Sequence, residues 1–90
     1  MLEESVTVVN HLGLHARAAG QLVKLAGQFE SRLVVKRFDG TAEAEACSML
    51  DILTLGASVG TVLTIHAEGR DESAAITAVK QLFESGFGEI

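Results

Sequence analysis

The spacing of hydrophobic and polar positions changes several times along this chain, and each change predicts a different element. Alternation at period two is typical of β-strands, whereas apolar residues recurring at helical spacing mark one face of a helix. The chain is therefore expected to run strand, helix, strand, strand, helix, strand, helix. In chain order the predicted elements cover residues 6–9, 16–29, 32–38, 41–46, 48–55, 61–68 and 71–85.

The two longer predicted helices each carry one apolar stripe. In the first helix the stripe consists of Ala18, Leu22, Leu25, Ala26 and Phe29, opposite a face with Arg17, Gly20, Gln21, Lys24 and Gln28. In the last helix it consists of Ala75, Val79, Leu82 and Phe83. Asp71 is expected to cap this last helix and Gly86 to end it. Both helices should therefore pack one face on a common core.

The short helix in the middle of the chain is apolar almost all round. Ser48 stands where it can cap the helix, and Gly56 where it can end it. Its apolar residues are Met49, Leu50, Ile52, Leu53 and Leu55. A helix packed on one side must leave some of these exposed, and we expect Met49 and Leu53 to be among them.

The strand patterns predict an α+β fold with a four-stranded, mostly antiparallel sheet that is covered by helices on one face. Asp39-Gly40 favours a two-residue hairpin turn between the second and third strands. In the last strand Leu63, Ile65 and Ala67 share one face, which should be buried. The other sheet face, which includes Glu43, Glu45, Thr64 and His66, is expected to meet water.

Composition limits the classes of function. The chain has 90 residues, enough for one domain covering residues 1–90, and 12 acidic against 7 basic residues, without Trp or Tyr. Nucleic acid is therefore not an expected partner. The histidines lie on separate elements and no phosphate-binding glycine loop occurs, so neither a metal nor a cofactor is expected.

Location and thiol chemistry are also constrained. The acidic start lacks the basic region of a secretory signal, and the longest uncharged stretch, residues 52–65, is interrupted by glycines and too short to span a bilayer. We expect a cytoplasmic protein without membrane insertion. The single cysteine, Cys47, cannot form an internal disulfide and is expected to be a small buried or half-buried hydrophobe.

Candidate chemistry is concentrated where the first predicted helix begins, at His15 and Arg17. The first turn of a helix presents unpaired N–H groups and the positive end of the helix dipole, so it binds anions such as phosphate. An unprotonated imidazole nitrogen can attack phosphorus, and a guanidinium can bind phosphoryl oxygens. Taken alone, however, His15 is better explained as an ordinary polar residue at a helix start, and Ser48 is better explained as an ordinary helix cap.

The motif Leu12-Gly13-Leu14-His15-Ala16-Arg17 resembles the phosphoacceptor signature of the histidine phosphocarrier (HPr) family of the phosphoenolpyruvate-dependent phosphotransferase system. The similarity extends over residues 10–29, 48–56 and 60–69. It implies an open-faced sandwich, with three helices over four antiparallel strands. Ala18 stands where most members have proline; we expect this change to be tolerated, with transfer rate the property that it puts in doubt.

The resemblance implies a monomeric phosphoryl carrier rather than an autonomous enzyme. Enzyme I would phosphorylate Nδ1 of His15, Arg17 would steady the phosphoryl group, and an EIIA-type protein would receive it in sugar uptake. Ser48 matches the family's regulatory serine, the target of HPr kinase/phosphorylase in some members. Docking of partners is expected at Met49 and Leu53, with Gln21 and Lys24 as a polar rim.

Three alternatives remain open at this point. Residues 40–48 and 82–88 resemble the nitrogen-related, regulatory branch of the family more than the sugar-uptake branch. The order of strands and helices also fits a ferredoxin-like regulatory module that binds metabolites without transferring a group. An autonomous enzyme is disfavoured, since the sequence offers no second acid, base or metal site.

Overall fold

The computed structural model describes residues 1–89, and within them the chain forms four β-strands, three α-helices and one 3₁₀ turn. The strands are β1 (Leu2–Thr7), β2 (Arg32–Arg37), β3 (Glu43–Glu45) and β4 (Val62–Glu68). The helices are α1 (Ala16–Ala26), α2 (Met49–Thr54) and α3 (Glu72–Glu84), and the 3₁₀ turn is Gly86–Gly88. The predicted order of strands and helices is confirmed, and the 3₁₀ turn is an addition.

All strands belong to one antiparallel sheet with the order β1-β4-β2-β3. On β4, the side chains of Leu63, Ile65 and Ala67 are fully buried, whereas the residues between them are only partly buried. The helices pack on the face that these buried residues form, and the opposite face is open. This confirms the predicted α+β open-faced sandwich.

The hydrophobic core lies between the sheet and the helices. Its largest fully buried apolar side chains are Phe83, Leu22, Ile52, Leu63, Ile65, Val8, Val35 and Val79. Leu25, Phe29 and Leu82, which were predicted to be core residues, are only partly buried at its margin. The other residues of the two predicted helix stripes are buried, as predicted.

Strand β1 begins at Leu2, earlier than the predicted start at residue 6. The acidic pair Glu3-Glu4 has low strand propensity, but this strand pairs with β4 along its whole length. In addition, Glu4 accepts a hydrogen bond from Nζ of Lys80 on α3 at 3.0 Å. Tertiary pairing therefore extends the strand beyond the segment that composition favours.

Other element boundaries also differ from the predictions, most clearly at the end of α1 and in the hairpin. Helix α1 ends at Ala26 instead of residue 29, with Gly27 as its C-cap. In the hairpin, Gly40 donates to the carbonyl oxygen of Arg37 at 2.9 Å, so the tight turn is centred on Phe38 and Asp39 rather than on Asp39-Gly40. Gly40 follows the turn with φ of 76°.

The predictions for Asp71 and Cys47 need correction. Asp71 is the N-cap residue of α3, as predicted, but its carboxylate makes no capping hydrogen bond to that helix. Instead it accepts hydrogen bonds from the backbone N–H groups of Glu30 and Ser31, both at 2.9 Å, and so ties the start of α3 to the start of β2. Cys47 is exposed in the turn between β3 and α2, because the buried position is taken by Ala46.

Candidate functional site

The loop that leads into α1 is fixed by hydrogen bonds on both of its sides. Leu14 donates to the carbonyl oxygen of Ala57 at 3.0 Å, and Nδ2 of Asn10 donates to the carbonyl oxygen of Gly13 at 2.8 Å. Gly13 has φ of 66°, in the left-handed region that favours glycine. Because Leu14 and Asn10 are also buried, the loop delivers His15 to one defined position.

His15 is the N-cap residue of α1, with extended backbone angles, and its own ring caps the helix. The backbone N–H of Arg17 donates to Nδ1 of His15 across 3.2 Å. Because an N–H group can only donate, Nδ1 must carry a lone pair. The neutral ring then holds its proton on Nε2, and Nδ1 is the nitrogen able to attack an electrophile.

The other ring nitrogen, Nε2, contacts Oε2 of Glu89, a residue that the sequence analysis did not single out. The second carboxylate oxygen of Glu89 accepts a hydrogen bond from Nδ2 of Asn10 at 2.9 Å. This bond from Asn10, and then those with His15 and the nearby charge of Arg17, hold the pKa of Glu89 below its usual value, although desolvation opposes them. Glu89 is therefore a carboxylate held against the imidazole.

Residues 86–89, here called the 86–89 segment, fold back over the start of α1. Phe87 has φ of 57°, is buried, and packs its ring edge-to-face against Phe83 with centroids 5.0 Å apart. Its carbonyl oxygen accepts a hydrogen bond from Nε2 of Gln21 at 3.1 Å. Gln21, which was predicted to belong to the polar rim of the docking surface, thus also anchors this segment.

Arg17 projects into solvent beside the histidine. It lines an open cavity of about 330 Å³ together with His11, Leu12, Gly88 and Glu89. The ring of His15 retains a quarter of its side-chain exposure, 25%. A phosphoryl group could therefore approach from solvent, between the guanidinium and the first turn of α1.

Helix α2 exposes apolar side chains next to α1. Met49 is 39% exposed, Leu53 is 41% exposed, and Leu50, which was not selected from the sequence, is 73% exposed. The methyl group of Met49 lies about 4.0 Å from where a side chain on Gly20 would begin. The surface formed by Met49, Leu50 and Leu53 is called the α2 patch below.

The two remaining predicted site residues are accessible. Lys24 is exposed on α1 and lines a second shallow cavity, of about 300 Å³, together with Gln21. Ser48 is the N-cap of α2, as predicted, and its Oγ accepts a hydrogen bond from the N–H of Asp51 at 3.3 Å. Ser48 therefore lies on the same helix as the α2 patch.

In the part of the chain that the structure describes, no group of three or more His, Cys, Asp or Glu side chains is placed to hold a metal ion. Nor does any helix within residues 1–89 have the length and apolar character that a membrane span requires.

The fold and the site together define the chain as a small open-faced sandwich that carries a surface histidine at a helix amino end. The family model described as "PTS HPr component phosphorylation site" matches residues 2–85. The chain therefore belongs to the HPr family of phosphocarrier proteins.

Relatives and a solved structure agree with this assignment. The chain is 40% identical to a "Phosphocarrier protein HPr" of Xylella fastidiosa over 99% of this chain and 98% of that protein. It is 39% identical to a "Phosphocarrier protein NPr" of Shewanella violacea, over 98% of this chain and 94% of that one. The crystal structure of HPr-C-His from Thermoanaerobacter tengcongensis superposes with a TM-score of 0.92 at 40% identity, covering 100% of this chain and 99% of that one.

Proposed function

We propose that this protein accepts a phosphoryl group from phosphorylated enzyme I on Nδ1 of His15 and passes it to an EIIA-type acceptor in sugar uptake. The observation that carries this proposal is the hydrogen bond from the N–H of Arg17 to Nδ1. It leaves the lone pair on the nitrogen that faces the amino end of α1, where an anion is stabilised.

Phosphorylation would exchange one hydrogen bond for another. Once Nδ1 is bonded to phosphorus, the N–H of Arg17 no longer has a lone pair to bind there and can donate to a phosphoryl oxygen instead. The guanidinium of Arg17, at the edge of the same cavity, can bind a second oxygen. The site thus stabilises the transferred group at the surface, as a carrier requires.

Partners would dock on the α2 patch, with Lys24 at its edge. Apolar side chains surrounded by polar ones form the centre of many protein interfaces, and a carrier that must leave quickly needs a small one. The carrier would act in the cytoplasm as a monomer, with residues 1–90 as one domain.

A second candidate is the nitrogen-related branch of the phosphotransferase system. It is favoured by the relative named NPr, which is almost as similar to this chain as the relative named HPr. Offering the phosphorylated protein in parallel to EIIA proteins of a sugar system and of a nitrogen-related system would separate the branches by transfer rate.

The test of the carrier function is incubation with phosphoenolpyruvate and the cognate enzyme I. We expect acid-labile phosphate on the wild-type protein and none on His15→Ala, since the N–P bond of phosphohistidine is hydrolysed in acid. Label that persists on His15→Ala, or wild-type protein that accepts none, would refute the proposal.

Ser48 is the proposed regulatory site, because a phosphate on it would add negative charge beside the α2 patch. Incubation with ATP and the host's HPr kinase/phosphorylase should give acid-stable phosphate on the wild type and not on Ser48→Ala. Equal label on both proteins, or none on either, would contradict this assignment.

A further inference from the structure

Both nitrogens of the His15 ring are engaged, and by groups of opposite character. At Nδ1 a backbone N–H donates, and at Nε2 a carboxylate accepts. The two contacts favour the same tautomer, with the lone pair on Nδ1 and the proton on Nε2. Arg17 belongs to the family motif, residues 12–17, at the start of α1. Glu89 lies outside that motif.

Glu89 is held in place from two directions. Its side chain is only 17% exposed, and one of its oxygens binds Nδ2 of Asn10. The same Nδ2 also binds the carbonyl oxygen of Gly13, so the orientation of the amide is determined by two acceptors. On the other side, the 86–89 segment is fixed by the buried ring of Phe87 and by the hydrogen bond that the carbonyl oxygen of Phe87 accepts from Gln21.

The orientation of Asn10 has a cost. Within the described residues its Oδ1 has no hydrogen-bond partner, although Asn10 is fully buried. The side-chain hydrogen bonds of Asn10 are thus both made by its nitrogen. Its nitrogen holds the loop before His15 and the carboxylate that contacts His15.

We propose that Glu89 is a positioning residue for phosphoryl transfer: held by Asn10, its carboxylate keeps the proton on Nε2 of His15 and balances the positive charge that the ring acquires when Nδ1 is phosphorylated. The inference rests on the proposed function, which supplies the phosphoryl donor. It adds to that function a residue 74 positions away in the chain.

The transfer step balances without any further reactant. The lone pair of Nδ1 forms the N–P bond, the bond between phosphorus and the donor's nitrogen breaks, and its electron pair stays on the donor. The proton on Nε2 stays in place, so the phosphorylated ring is cationic and Glu89 faces that charge. Onward transfer reverses these changes at Nδ1, and a ring that retains its Nε2 proton is the better leaving group.

Other charged and titratable groups at the site must be considered in any test by pH. Arg17 faces Glu89 from α1, and His11 lines the same cavity from the loop. Arg17 and Glu89 place charges of opposite sign beside the ring, so the effect of removing the Glu89 carboxylate is best compared before and after phosphorylation.

Glu89→Gln tests the proposal, with Glu3→Gln as its matched control. Glu3 pairs with Nδ1 of His66 at 3.3 Å on the open sheet face, so the control removes a carboxylate from another histidine with the same change in net charge. Glu89→Asp tests whether a shorter side chain with a carboxylate restores the function. Asn10→Ala keeps the carboxylate of Glu89 but removes the amide that donates a hydrogen bond to it. Circular dichroism and the midpoint of thermal unfolding establish that each variant folds.

Two measurements distinguish this role of Glu89 from a purely structural one. In ¹⁵N-labelled, unphosphorylated protein, the Nε2 proton of His15 should give a hydrogen-bonded imidazole signal in the wild type and in Glu3→Gln, and lose it in Glu89→Gln. After phosphorylation, the Nε2 proton signal should be lost at a lower pH in Glu89→Gln than in the wild type, because the carboxylate that faces the cationic ring is missing. Glu89→Asp should recover part of that shift, and Asn10→Ala should show part of the loss.

Phosphorylation by phosphoramidate, a small N–P donor, separates this inference from the function on which it rests. Its rate should fall roughly three- to tenfold in Glu89→Gln and stay unchanged in Glu3→Gln. If enzyme I fails to label the wild type but this difference persists, the carrier function is wrong and the role of Glu89 stands. If Glu89→Gln keeps the Nε2 signal, the pH midpoint and the rate of the wild type, the role of Glu89 is overturned.

Discussion

Replacing Gly13 by alanine should damage the protein in two separable ways. Gly13 has φ of +66°, and a Cβ there would lie 2.6 Å from the carbonyl oxygen of Ala57 and 2.9 Å from Cα of Ser58. Both contacts are shorter than van der Waals distance, and both are with backbone atoms that cannot rotate away. The alanine variant therefore bears left-handed backbone strain and a steric overlap together.

The matched control is Gly40→Ala. Gly40 has φ of +76°, but no atom lies within 4 Å of where its Cβ would be. This variant therefore bears only the left-handed strain, about 1 kcal/mol. Adding an overlap of about 1–3 kcal/mol, typical of overpacking, gives Gly13→Ala a total cost of about 2–4 kcal/mol.

The free energies of unfolding can be measured by urea titration followed by circular dichroism, since the chain has neither Trp nor Tyr for fluorescence. For a domain of this size, 1 kcal/mol corresponds to about 5 °C in Tm. We therefore expect a loss of about 5 °C for Gly40→Ala and about 10–20 °C for Gly13→Ala.

The functional effect should divide in the same way. Because Leu14 donates to the same Ala57 oxygen that the new methyl group would displace, the loop carrying His15 should move in Gly13→Ala. Phosphorylation by enzyme I should slow in that variant at a temperature where it is still folded, and remain normal in Gly40→Ala. Equal losses of stability in the two variants would contradict a steric overlap at Gly13, and unchanged phosphorylation of Gly13→Ala would contradict a displacement of the loop that carries His15.

Further predictions concern acid stability, docking and phosphate binding. The pKa of Asp71 is held below its usual value, chiefly by the hydrogen bond from the hydroxyl of Ser31. The ionised carboxylate therefore stabilises the fold at any pH above the usual pKa, and this stabilisation is lost as the pH falls through the lowered pKa of the folded state. Asp71→Asn should thus be less stable than wild type at neutral pH, with a gap in urea midpoint that closes in acid; a constant gap would contradict this. Leu50→Glu should weaken binding to enzyme I at least tenfold in calorimetric titration, whereas Phe38→Glu, at the same 73% exposure but in a separate cavity, should not. Arg17→Lys should fold normally yet slow phosphorylation, because lysine lacks the bidentate fork; an unchanged rate would exclude that role.

How much of the site could be predicted from the sequence depended on how local each contact is. A helix start is encoded by neighbouring residues, so the sequence was sufficient to place His15 and Arg17 at the amino end of α1. Glu89 reaches the same ring from the far end of the chain. No periodicity links it to His15, although a phenylalanine between glycines in residues 86–88 does indicate an unusual turn.

The same distinction explains the differences in the fold. Alternation placed the buried residues of β4 correctly because a strand buried on one face has a fixed period. The start of β1 depends on its pairing with β4, and the exposure of Leu50 depends on which side of α2 meets α1. Neither of these is determined by the segment itself.

The most direct test of the account is to identify which nitrogen of His15 carries phosphate after incubation with phosphoenolpyruvate and enzyme I. Long-range ¹H–¹⁵N and ³¹P NMR of the labelled protein distinguish phosphate on Nδ1 from phosphate on Nε2. Phosphate is expected on Nδ1, because the N–H of Arg17 leaves the lone pair there and Glu89 occupies the other side of the ring. Phosphate on Nε2, or on any residue other than His15, would contradict it.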